Sequence, residues 1–144
     1  MHTELQEEVN SYFQLQSTYW KDIYKLGDVY AGIHQLRHER VLEWIEELGL
    51  DTDARILEIG CGAGFLSLAL AKRGFTITAI DSVDAMVEQT RQHAREANLD
   101  ERISVATGDI STLAFPDQSF DLVLAIGVLP WIPRVDTASK EIAR

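Results

Sequence analysis

One cysteine, no long apolar run and no excess of basic charge set the first limits on this chain of 144 residues. Cys61 stands alone and cannot close an internal disulfide, which fits a reducing, cytoplasmic setting. No stretch approaches the roughly 18 consecutive apolar residues that cross a bilayer, so no membrane partner is expected. The opening Met1-His2-Thr3-Glu4-Leu5-Gln6-Glu7-Glu8 is polar and acidic, unlike a secretory signal. Lys and Arg number 13 against 23 Asp and Glu, a formal net charge of -10 at pH 7. Without a basic surface to displace phosphate counterions, nucleic acid is an unfavourable partner and a small molecule is the better one. Repeats and low-complexity linkers are missing too, and the 46% hydrophobic content suits one domain with a sizeable core.

Two helical patterns come first. Leu5, Val9, Tyr12, Phe13 and Leu15 follow helical spacing up to Trp20, and a turn-like section with Gly27 and Gly32 follows. A second helix is predicted over residues 35–48, with Leu36, Val41, Leu42, Ile45 and Leu48 inward and Gly49 as its stop. From there strand and helix alternate. Strands are predicted at 55–59, 75–80, 103–107 and 120–126, and helices at 63–72 and 84–97. A last helix is expected to begin with Asp136 as N-cap. This alternation implies right-handed βαβ units, hence an α/β fold with a Rossmann-like, doubly wound, mostly parallel sheet. The fourth strand is the most apolar, yet nothing after it is left to pair with it. The expectation is therefore a domain truncated after that strand, or a homodimer formed through its edge.

The segment Ile56-Leu57-Glu58-Ile59-Gly60-Cys61-Gly62-Ala63-Gly64-Phe65 carries the most chemistry. An apolar strand runs into three glycines at alternate positions, where missing Cβ atoms let a ligand lie against the backbone. A dinucleotide loop, G-x-G-x-x-G, would place glycine at 65, and Phe65 stands there instead. Asp81, directly after the second strand and about 20 residues past the first glycine, suits a carboxylate gripping ribose hydroxyls. An adenosine-type ligand follows from this pair of features.

Four motifs in order resemble the class I S-adenosylmethionine-dependent methyltransferases, small-molecule type. They are residues 57–64 (LEIGCGAG), 79–86 (AIDSVDAM), 107–110 (TGDI) and 120–125 (FDLVLA), and the resemblance covers about residues 36–144. It implies S-adenosyl-L-methionine as cofactor, a cofactor-binding domain at 36–144 that is incomplete at its C-terminal end, and a helical lid at 1–35. The Gly60-Cys61-Gly62-Ala63-Gly64 backbone would lie against the cofactor's methionine part, with Glu58 orienting its ammonium group. Asp81 would hold the ribose, Ser82 and Met86 would border the adenine, and Asp109 with the Ile110 amide would bind the adenine edge. Ile126 and Gly127 would face the sulfonium. Tyr24, Tyr30 and Trp131 are candidates for the substrate side, and His34 is the one candidate base. No metal is expected.

Each residue also has a plainer reading. Glu58 would cap the following helix, Asp109 would close a Gly-Asp turn, Met86 would pack in the core, and Cys61 would be a small side chain at a tight turn. His34 and His38 would lie on a solvated helix surface. At the level of function, a non-catalytic binding module that dimerises through the sheet edge is the alternative. A nicotinamide-dependent oxidoreductase is disfavoured by Phe65.

Overall fold

The computed structural model describes residues 2–144. Helices α1 (His2–Leu15), α2 (Ser17–Asp22) and α3 (Val29–Glu47) precede the sheet. Then come β1 (Arg55–Ile59), α4 (Phe65–Lys72), β2 (Thr76–Asp81), α5 (Asp84–Glu96), β3 (Ile103–Thr107), β4 (Leu122–Leu124) and α6 (Val135–Ala143). The four strands are parallel in the order β3-β2-β1-β4. The chain winds outward from β1 to β3, then crosses back to place β4 on the other side of β1. The crevice at the C-terminal ends of β1 and β4 is thus a topological switch point, where open α/β sheets hold ligands.

Alternation along β1 assigns the two faces. Ile56 packs with Ile77, Ile103 and Leu124 against Val41 and Ile45 of α3, Leu66 and Leu70 of α4 and Ala94 of α5. Leu57 and Ile59 turn the other way, into a smaller cluster with Ile80, Ile110, Leu113 and Ala138 of α6. Burying each such aliphatic side chain contributes about 1.5–3 kcal/mol.

Several expectations are corrected. The second predicted helix starts at Val29, because the Asp28 carboxylate accepts the Ala31 N–H at 2.7 Å and caps it there. Gly32 is therefore helical, and residue 35 lies inside a continuous α3. Leu36 and Leu48 are exposed at 67% and 58%, while His34 takes the buried position on that helix. The fourth strand is three residues long rather than the predicted 120–126. Among the described residues it pairs only with β1, from Ile56↔Leu122 to Glu58↔Leu124, and β1 itself ends one residue later at the glycine loop. The last helix begins at Val135, so Asp136 is inside it and Arg134 holds the N-cap position.

Candidate functional site

A cavity of about 450 Å³ opens at the switch point. One wall is made by the strand ends and the loops that leave them: Glu58 to Ala63, Asp81 to Val83, Gly108 to Ile110, and Ile126 to Val128. The facing wall is helical, with Gln6, Val9 and Phe13 from α1, Trp20 from α2, and Tyr30, Ile33, His34, Arg37, His38 and Val41 from α3. The fold brings together Glu58, Gly60, Cys61, Gly62, Asp81, Ser82, Met86, Asp109, Ile110, Ile126 and Gly127, along with Tyr24, Tyr30, His34 and Trp131.

Gly64 does not line this cavity. Its φ is +83°, and a Cβ there would sit 2.6 Å from Thr90 Cγ2. It lets α5 approach the start of α4, so its sequence signal is one of packing.

Two carboxylates are buried at the strand ends. Glu58 Oε2 accepts the Ser67 hydroxyl in the first turn of α4, and burial pushes its pKa up to about 7. Its partner at the start of α4 is thus a side-chain hydroxyl, and the N-cap position belongs to Gly64. Asp81 accepts the Gly62 N–H at 2.9 Å with one oxygen and the Val83 N–H at 3.0 Å with the other. Burial raises its pKa, and those amides partly offset the rise. Each carboxylate thus supports the loop beside it while facing the cavity.

Asp109 is exposed, and its Oδ1 accepts the Ser111 N–H at 2.7 Å, closing a local turn. The Ser82 hydroxyl donates to Asn10 Oδ1 at 2.9 Å, which ties α1 to the end of β2. Met86 is 2% exposed and packs under the cavity floor. The Cys61 thiol is buried beside Thr90 Oγ1 at 3.6 Å, and burial with the Glu58 and Asp81 charges drives its pKa well up. Such a thiol is inert.

Across the cavity the charge changes sign. Arg37 Nη1 would lie 2.6 Å from a Cβ on Gly127, whose φ is +73°, so the guanidinium lies directly over that loop. Arg37 makes no ion pair among the described residues, and its Nη2 donates to His34 Nδ1 at 2.6 Å. His34 is buried, contrary to the solvated-surface reading, and His38 is half-buried. Burial and the Arg37 charge lower the His34 pKa, so the ring is held neutral. A guanidinium only donates, so Nδ1 must accept and the neutral ring carries its proton on Nε2. In this arrangement His34 is a donor toward the cavity, which removes it as the general base.

The sequence from 57 to 144 matches the family model described as "Methyltransferase domain". The chain belongs to the methyltransferase domain family. It is 35% identical over 118 residues to a ubiquinone/menaquinone biosynthesis C-methyltransferase of Rhodopseudomonas palustris, covering 79% of this chain and 46% of the relative. It is 28% identical over 127 residues to a ubiquinone biosynthesis O-methyltransferase of Coxiella burnetii, covering 88% and 51%. Among solved structures it superposes, with a TM-score of 0.77 and 31% identity, on a Methanococcus maripaludis protein assigned as an S-adenosyl-L-methionine-dependent methyltransferase. That match covers 91% of this chain and 57% of the other. The chain spans about half the length of the curated relatives it matches.

For this methyltransferase domain, sequence reading missed Arg37, Trp20 and the inner face of α1. Arg37 had a signal: it lies three residues after His34, one helical turn along the same face. Trp20 Nε1 had none, because only packing leaves it buried without a hydrogen-bond partner.

Proposed function

We propose that this chain carries the cofactor-binding part of an S-adenosyl-L-methionine-dependent methyltransferase that acts on a small-molecule acceptor. The observation that carries this reading is the polarity of the cavity, with Glu58 and Asp81 buried on one wall and Arg37 on the other. The cofactor's amino-acid end is a zwitterion beside a sulfonium, and such a ligand fits carboxylates facing a guanidinium. Asp81 would hold the ribose hydroxyls with the lone pairs its two backbone amides leave free. Glu58 would favour the ammonium group, and Arg37 over Gly127 would take the carboxylate. Ser82, Met86, Asp109 and Ile110 would border the adenine, with Gly60, Cys61, Gly62, Ile126 and Gly127 around the methionine and sulfonium.

When bound, the cofactor supplies an electrophilic methyl group on a good leaving group. The protein's own part is then alignment and exclusion of water, effects worth up to about 7–11 kcal/mol in favourable cases. Aromatic side chains on α1, α2 and α3 would shed water from the acceptor side, where Tyr24, Tyr30 and Trp131 lie. With His34 fixed as a donor, the acceptor would arrive already nucleophilic. The lone buried Cys61 supports a cytoplasmic setting, and the segment ahead of α3 would act as the lid, the boundary moving from residue 35 to Asp28 because α3 is continuous from Val29.

Calorimetric titration with S-adenosyl-L-methionine, S-adenosylhomocysteine and NAD tests the reading. Binding of the first two, and not of NAD, is expected; preference for NAD overturns it. The outer edge of β4, unpaired among the described residues, supports pairing of two copies as a second reading. A single monomer mass by light scattering across a concentration series would rule that pairing out.

A further inference from the structure

Three rings pack together on the helical side of the cavity. Trp20 meets His34 edge to face with centroids 4.9 Å apart, and Tyr30 meets His34 at 4.6 Å. Phe13 extends this wall, lying 5.7 Å from Trp20 and 5.0 Å from Trp131 on the loop after β4. The wall is aromatic, with its rings set mostly edge to face, and suits packing against a planar ring.

Two N–H groups in it have nothing to bind. Trp20 Nε1 is buried with no hydrogen-bond partner among the described residues. A donor left that way is unfavourable, and a ligand oxygen would relieve it. His34 Nε2 carries the ring proton because Nδ1 accepts from Arg37, and it too has no partner among the described residues. Two N–H donors with no acceptor of their own favour an anionic oxygen over a neutral one at this spot.

We infer that Trp20 Nε1 and His34 Nε2 are specificity-determining donors for an anionic oxygen borne by a flat aromatic acceptor, a phenolate or an arene carboxylate. The inference rests on reading the cavity as a joint cofactor and acceptor site. His34 acts here as a donor, with no part in removing a proton.

Binding of 4-nitrophenolate, 4-nitrobenzoate and 4-nitroanisole to the full chain tests it, measured by calorimetry at pH 8 with and without saturating S-adenosylhomocysteine. At least one of the two anions is expected to bind about tenfold tighter than the ether, and which one does so identifies the oxygen. Trp20→Phe keeps the ring and removes the donor, so it should erase most of that preference while leaving 4-nitroanisole binding unchanged. Equal affinity for all three probes in the wild-type chain overturns the inference, and that comparison stands even where the variant fails to fold. Uniform weakening of all three by Trp20→Phe overturns it as well. Titration with S-adenosylhomocysteine alone reads the cofactor site separately. Its failure would sink the proposed function, while loss of the anion preference in Trp20→Phe would still establish the indole donor.

Discussion

The two walls of the cavity are built on different principles. On the strand-end wall, nearly every polar group has a second employment within the fold. Glu58 holds the first turn of α4 through Ser67, Asp81 holds the amides of Gly62 and Val83, and Asp109 closes its own turn. On the helical wall, Arg37 bonds to His34, and His34 and Trp20 pack against each other and against rings of the same wall. Damage to the first wall should therefore reach stability and ligand together, and damage to the second should reach ligand alone.

The sharpest attempt to break this contrast is Gly64→Val. Left-handed backbone and overlap with Thr90 together should cost about 4 kcal/mol, seen as a lowered Tm in thermal denaturation. An unchanged Tm would mean that the glycine loop is not structurally committed.

Glu58 comes next in size. Its folded pKa of about 7 lies above the ordinary 4.5, so the folded state holds this proton more tightly than the unfolded chain. Stability from this group is present below about pH 4.5 and is lost as pH rises to about 7, amounting to about 3 kcal/mol. Denaturant unfolding at a series of pH values should show that decline, and Glu58→Gln should flatten it. A decline of equal size in the variant would assign the pH dependence to other groups.

Asp81→Ala should weaken S-adenosylhomocysteine roughly a hundredfold through loss of charge-assisted bonds. It should weaken 5′-methylthioadenosine, which keeps the ribose, by a similar factor. Arg37→Leu is the counterpart on the other wall. About a tenfold loss for S-adenosylhomocysteine is expected, with none for 5′-methylthioadenosine, which has no carboxylate, and no change in Tm. Equal losses for both ligands would displace Arg37 from the amino-acid end.

The same contrast explains what could be read from the chain. The α/β alternation, β1 and β3 to the residue, and the stop at Gly49 follow from local rules: apolar runs, caps and left-handed glycines. The strand-end positions of Glu58 and Asp81 were legible because each lies beside its strand and turn along one short segment. The helical wall was not, because its parts come from three helices joined only by packing. Helical periodicity placed Leu36 inward and His34 outward, and the tertiary structure reversed both. In α3 the apolar stripe competes with a polar cavity, and the two faces are one turn apart.

By itself, then, the sequence determined the fold class, the order of its elements and the strand-end residues at the switch point, since each depends on residues close along the chain. Only the tertiary structure decided that Arg37 covers Gly127, that His34 presents Nε2 as a donor, and that Trp20 Nε1 is buried without a partner. The physical reason is that a guanidinium, an imidazole and an indole acquire these roles from the atoms packed around them, and residues such as Gly127 lie 90 positions or more away along the chain.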